Sequence, residues 1–122
     1  MPFHLRYKRG TAMSVVEITG RAFAEQAQEV VRVIRARTRE HGDKRLLIDL
    51  TDVDGTLGPR EHQALGLLAA RFLSHLERMA SLVPEDKITR VSEAAAQGQG
   101  LQLKVFTDLT GAVNWLVQPS SS

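Results

Sequence analysis

The order of structural signals along these 122 residues predicts an α/β fold. It is a mixed, largely parallel five-stranded sheet covered by about four helices, in the order β-β-α-β-α-β-α-β-α. Three observations carry this. Two short alternating segments stand next to each other at the start, close enough to form an antiparallel hairpin. From Arg21 onward the apolar period changes from two to about 3.6. After that, short apolar runs and amphipathic stretches take turns to the end of the chain, the pattern of strands joined by helical crossovers.

The elements follow in order. "FHLRYK" places Phe3, Leu5 and Tyr7 on one side of a strand. Arg9-Gly10-Thr11 makes a turn, and "MSVVEIT", rich in β-branched residues, is the second strand, ended by Gly20. Phe23, Ala27, Val30, Val31, Ile34 and Thr38 recur at helical spacing up to His41, and Gly42 stands where a C-terminal cap belongs. "RLLIDLT" barely alternates, as befits a strand covered on both faces. The DVDGTLG stretch is a loop. Pro59 suits a first helical position, and Leu65, Leu68, Phe72 and Leu76 stripe a helix that ends near Glu77. "MASLVP" is a short strand. A helix opens after Pro84-Glu85-Asp86, runs through "SEAAAQ" and ends at Gly98 or Gly100. "LQLKVFT" alternates, with Leu101, Leu103 and Val105 on one face. Asp108 caps a last helix bearing Ala112, Val113, Trp115 and Leu116. Phe23, Ile34, Ile48, Leu68, Phe72, Val105 and Trp115 are expected together in one core. Residues 1–117 make a single domain, and 118–122 a flexible tail.

Composition narrows the function classes. There is no cysteine, which excludes disulfides, thiol catalysis and thiolate zinc sites. No apolar run is long enough to span a bilayer, and the first residues interleave charge with apolar side chains, unlike a signal peptide. The expected location is cytoplasmic. Net charge is +2. The one dense basic stretch, Arg32 to Arg45, holds six Arg or Lys and no aromatic residue, so it is a solvated helix face rather than a nucleic-acid surface.

The catalytic-looking signal is Asp52-Val53-Asp54-Gly55-Thr56-Leu57, behind an apolar run. It resembles the first motif of haloacid-dehalogenase-type phosphohydrolases, in which the first Asp attacks phosphorus and the second serves as acid and base. Here the motif follows the third strand, with 65 residues beyond Leu57. No paired carboxylates stand at the end of a later strand to complete a Mg²⁺ site. The chain is therefore expected to be no enzyme and to need no cofactor. Were it a phosphohydrolase, Asp52 and Asp54 would carry the reaction.

A wider pattern covers almost the whole chain. The opening "MPF" strand, "LLIDLTDVDG" and "GLQLKVFTDLTGAVNWL" resemble bacterial STAS-like domains, above all through Gly100, Val105-Phe106-Thr107-Asp108, Ala112 and Trp115-Leu116. These domains are related to anti-sigma-factor antagonists and similar in fold to CRAL-TRIO lipid-binding domains. The resemblance implies helices mainly on one side of the sheet and a regulatory loop after the third strand. Antagonists carry a phosphorylatable Ser there, in an Asp-Ser-Ser-Gly context. This chain has Asp54-Gly55-Thr56-Leu57-Gly58, so Thr56 alone can take the Ser role.

The remaining candidates gather around that reading. Asp54, Thr56, Gly58 and His62 are the regulatory-loop residues. His4, His41, His62 and His75 are scattered, with no pair at i, i+4, so no metal site is expected. Phe72 and Trp115 are candidates for lining a groove between the second and last helices, if the chain binds a small apolar ligand or lipid instead. The leading expectation is a non-catalytic regulatory module with a protein partner. A homodimer through an exposed strand edge is a further option, and no nucleic acid or membrane partner is expected.

Overall fold

The alternating segments at the start of the chain pair as their pattern requires. In a computed structural model, which describes residues 3–10, 12–21, 24–54, 59–85 and 91–119, strands β1 (Phe3–Arg9) and β2 (Ser14–Arg21) form an antiparallel hairpin. The Gly10 N–H donates to the Met13 carbonyl at 2.9 Å to close the turn. Helix α1 (Ala24–His41) leads to β3 (Arg45–Asp54), α2 (Pro59–Phe72) to β4 (Arg78–Leu82), and α3 (Val91–Gly98) to β5 (Leu103–Phe106). Helix α4 (Leu109–Leu116) follows. The strands lie in chain order, β1-β2-β3-β4-β5, and every pair after the hairpin is parallel. The predicted fold class and element order are those observed.

A strand order that advances in one direction, joined by crossovers of one hand, puts its crossover helices on one side of the sheet. There α1 and α2 contribute Val30, Val31, Ile34, Ala69 and Ala70 to a cluster with Val16, Ile18, Leu46, Ile48, Met79 and Leu103. Helix α3 packs beside α2 and β5. Helix α4 makes no crossover and covers the other face, where Ala112 and Leu116 meet Leu47, Ala80 and Leu82.

The single predicted core is thus two. Ile34 and Ile48 are buried in the first cluster, with Leu68 and Phe72 partly buried against it. Trp115 is partly buried against the second, and Val105 is buried. Phe23 lies outside the described residues. The cause is the apolar run of β3. Its consecutive leucines and isoleucine point alternately to both faces, so both need cover.

Several boundaries differ from expectation: β2 runs past Gly20 to Arg21, and β4 spans Arg78–Leu82. Strand β3 runs on through Asp52-Val53-Asp54, expected as loop. Between the Glu17–Asp49 and Thr19–Asp52 pairs, β3 gains one residue over β2, a β-bulge. The Asp49 carboxylate accepts from the Thr51 N–H at 3.0 Å and from its hydroxyl at 2.6 Å. This local turn explains the Asp inside an apolar strand. Beyond it pairing resumes, with the phase shifted so that Leu50 and Val53 both pack on the first cluster.

Helix α2 stops at Phe72, not near Glu77. The N–H groups of Glu77 and Arg78 donate to the Lys44 carbonyl at 2.6 and 3.3 Å. That docking pulls the chain out of the helix and leaves Leu76 buried in a turn. Strand β5 is shorter than expected, although Leu101, Leu103 and Val105 are all buried. Gly42 ends α1 at φ 68°, and Asp108 caps α4 by accepting from the Gly111 N–H at 2.7 Å.

Candidate functional site

The carboxyl ends of parallel strands and the amino ends of the helices that follow them share one edge of an open α/β sheet, which is where such folds place ligands. Here the bulge at Asp49 carries β3 out to Asp54, level with Gly20 and Arg21 of β2. Helix α2 begins at Pro59, with Arg60 exposed and His62 half-buried in its first turn. Burial holds the His62 imidazole below the usual histidine range, and the Glu61 carboxylate opposes that shift. Asp52 is exposed, and Asp49 is engaged by Thr51. Thr56 and Gly58 lie outside the described residues, as do Gly55 and Leu57. Of the regulatory-loop candidates, the structure therefore places Asp54 as the last residue of β3 and His62 on α2. Among the described residues, no three His, Asp or Glu side chains gather as a cation site would require.

The other candidates are dispersed. Phe72 packs against the first cluster and Trp115 against the second, so the sheet stands between them. Trp115 meets the Phe106 ring at 5.8 Å, and the Arg78 guanidinium lies 5.5 Å from its centroid. His4 is exposed on β1. His41 stacks on Tyr7 with ring centroids 5.4 Å apart. His75 Nε2 lies 2.7 Å from the Thr38 hydroxyl, which is fully buried and also donates to the Ile34 carbonyl at 2.8 Å.

At the opposite edge of the sheet lies a polar network that sequence reasoning missed. The Tyr7 hydroxyl donates to Asp43 and lies 3.3 Å from Ser14 Oγ. Arg9 Nε is 3.5 Å from the other Asp43 oxygen, and its guanidinium donates to the His41 carbonyl at 3.2 Å. Burial, and then the Asp43 carboxylate, push the Tyr7 phenol up. Nearby, Arg45 donates to the Leu116 and Gln118 carbonyls, and Arg78 to those of Trp115, Gln118 and Pro119. Two guanidinium groups thus satisfy carbonyls left over at the end of α4. The hairpin register held part of this signal. Arg9 pairs with Ser14 and Tyr7 with Val16, so Tyr7 and Ser14 are diagonal neighbours. Nothing local in the sequence points to Asp43.

No protein of curated function is detectably similar to the chain in sequence. Solved structures share its fold, two among them as follows. One is an anti-sigma factor antagonist from Mycobacterium paratuberculosis, with TM-score 0.65, 17% identity, and 95% of each chain covered. The other is an uncharacterized protein with a SpoIIAA-like fold from Shewanella loihica, with TM-score 0.58, 18% identity and 93% of each chain covered. The sequence pattern of the SpoIIAA-like family matches residues 13–117, from the start of β2 to the end of α4. The chain therefore belongs to the SpoIIAA-like family.

Proposed function

We propose that this protein is a regulatory module that acts by binding a protein partner and catalyses no reaction of its own. The observation that carries this reading is the likeness in fold, over 95% of each chain, to an anti-sigma factor antagonist. The contact surface is the edge where β3 delivers the chain to α2. A partner reading that edge meets the end of β3, the segment 55–58, and Arg60 and His62 on α2.

Thr56 is the switch in this reading. It stands between the end of β3 at Asp54 and the start of α2 at Pro59. A phosphate on it would stand three residues before Pro59 in the chain, where the positive end of the α2 dipole and Arg60 would favour its charge. The added charge, about −1.5 to −2 at neutral pH, would alter the partner surface without unfolding the domain. The test compares one purified partner's affinity for wild type, Thr56→Ala and Thr56→Glu, alongside mass spectrometry of residue 56 from cells. A weaker Thr56→Glu complex and a phosphorylated fraction support the switch. Equal binding by all three, with no phosphate at Thr56, removes it and leaves only the binding surface.

A further inference from the structure

Strand β1 is one border of the sheet, and among the described residues it pairs with β2 alone. Its outer row of backbone N–H and C=O groups is a template for another strand. The edge is long and regular. All seven residues keep register with β2 from Phe3–Gly20 to Arg9–Ser14, without a bulge, whereas the opposite border, β5, has four residues. The two faces of β1 differ. Leu5 and Tyr7 pack on the first apolar cluster. His4, Arg6 and Lys8 are exposed on the other face. Helix α4 covers β3, β4 and β5 on that face, so the charged row lies beyond it.

The charge on this row is unbalanced. Lys8 Nζ is 3.0 Å and Arg6 Nη1 3.8 Å from the two oxygens of a single carboxylate, Glu17, and their side chains remain 54% and 68% exposed. A second copy of this chain fits the edge badly. Antiparallel pairing of β1 with itself, centred on Arg6, sets Arg6 against Arg6 and His4 against Lys8. Centring on Tyr7 sets Arg6 against Lys8. Like charges placed opposite one another oppose pairing. The same charges that reject a copy of the chain attract a strand with carboxylates on that face.

We infer that the outer edge of β1 takes an added strand from a protein partner whose extended segment alternates acidic and apolar residues. The carboxylates face His4, Arg6 and Lys8, and the apolar side chains continue the face of Leu5 and Tyr7. Main-chain hydrogen bonds supply affinity and the alternation supplies register. This surface is separate from the edge at the β3–α2 junction, and it stands or falls independently of that site.

The experiment titrates ¹⁵N-labelled protein with a heptapeptide of alternating valine and glutamate. Its controls are the same peptide N-methylated at alternate positions and a valine–lysine analogue. Amide shifts and slowed hydrogen exchange concentrated on β1 are expected, with both controls failing to bind. Arg6→Gln with Lys8→Gln, which avoids placing new acids beside Glu17, should weaken binding by about tenfold. No binding overturns the inference. So does binding that survives N-methylation, or shifts concentrated on α1 or at the start of α2.

Discussion

The two ends of the parallel sheet are built differently. At the amino end, polar side chains from distant parts of the chain bind one another. Tyr7 and Arg9 of the hairpin hold Asp43, Thr38 of α1 meets His75, and Arg45 and Arg78 hold the end of α4. At the carboxyl end, among the described residues, Asp49 bonds Thr51 and Asp108 bonds Gly111 within their own turns, and Glu93 of α3 accepts from the Val105 N–H of β5 at 2.9 Å. The amino-end network ties strands to helices through buried side chains, so a change there is expected to cost more than one at an exposed carboxyl-end side chain such as Asp52.

The comparison can be broken by mutation, starting where the effect is largest. Leu116 is fully buried and fastens α4 to the second face of the sheet. Leu116→Ala should cost about 2–5 kcal/mol, read by urea denaturation. A near-neutral result would mean that α4 is dispensable. Asp43→Ala comes next. The Asp43 side chain is 7% exposed, and its loss removes the carboxylate that Tyr7 and Arg9 share. The expected cost is about 2–3 kcal/mol. Asp52→Asn at the carboxyl end should change stability by less than about 0.5 kcal/mol, because the side chain is exposed. If Asp52→Asn costs as much as Asp43→Ala, the contrast between the two ends is lost.

The smallest effect is a pH dependence. Burial, and then Arg39, Lys44 and Arg35, hold His75 below its ordinary value of 6.5, against a weaker opposing pull from Asp43. As pH falls through 6.5 the unfolded chain takes up this proton first, so stability drops there and levels off below the folded value. Burial gives His62 the same sign. Denaturation midpoints measured between about pH 5 and 8 should therefore rise with pH, and His75→Gln should flatten part of the slope. A His75→Gln curve parallel to wild type would remove the role given to His75.

What could be read from the sequence followed what is local. The hairpin, α1 with its Gly42 stop, and the Asp108 cap each rest on a few neighbouring residues, and each stands where the pattern put it. The end of α2 did not. It is set by Lys44, whose carbonyl receives the N–H groups of Glu77 and Arg78 from more than thirty positions away. The reach of β3 was hidden for the same reason. Asp52-Val53-Asp54 reads as a turn in isolation, and becomes strand because β2 offers Thr19, Gly20 and Arg21 as partners. Periodicity marks which helix residues are apolar but not which face of the sheet they cover, so Phe72 and Trp115 were placed in one core. At the candidate site, Asp54 and His62 fall on the elements that flank the loop. The amino-end network went unseen because its centre, Asp43, is joined to Tyr7 only by the pairing of three strands.

The most direct test of the account is hydrogen exchange on the protein alone and in complex with a partner captured from its source cell. Added protection is expected over the end of β3 and the first turn of α2, with Asp43, between α1 and β3, unchanged. Protection centred on the amino end, with none at the β3–α2 junction, would contradict it.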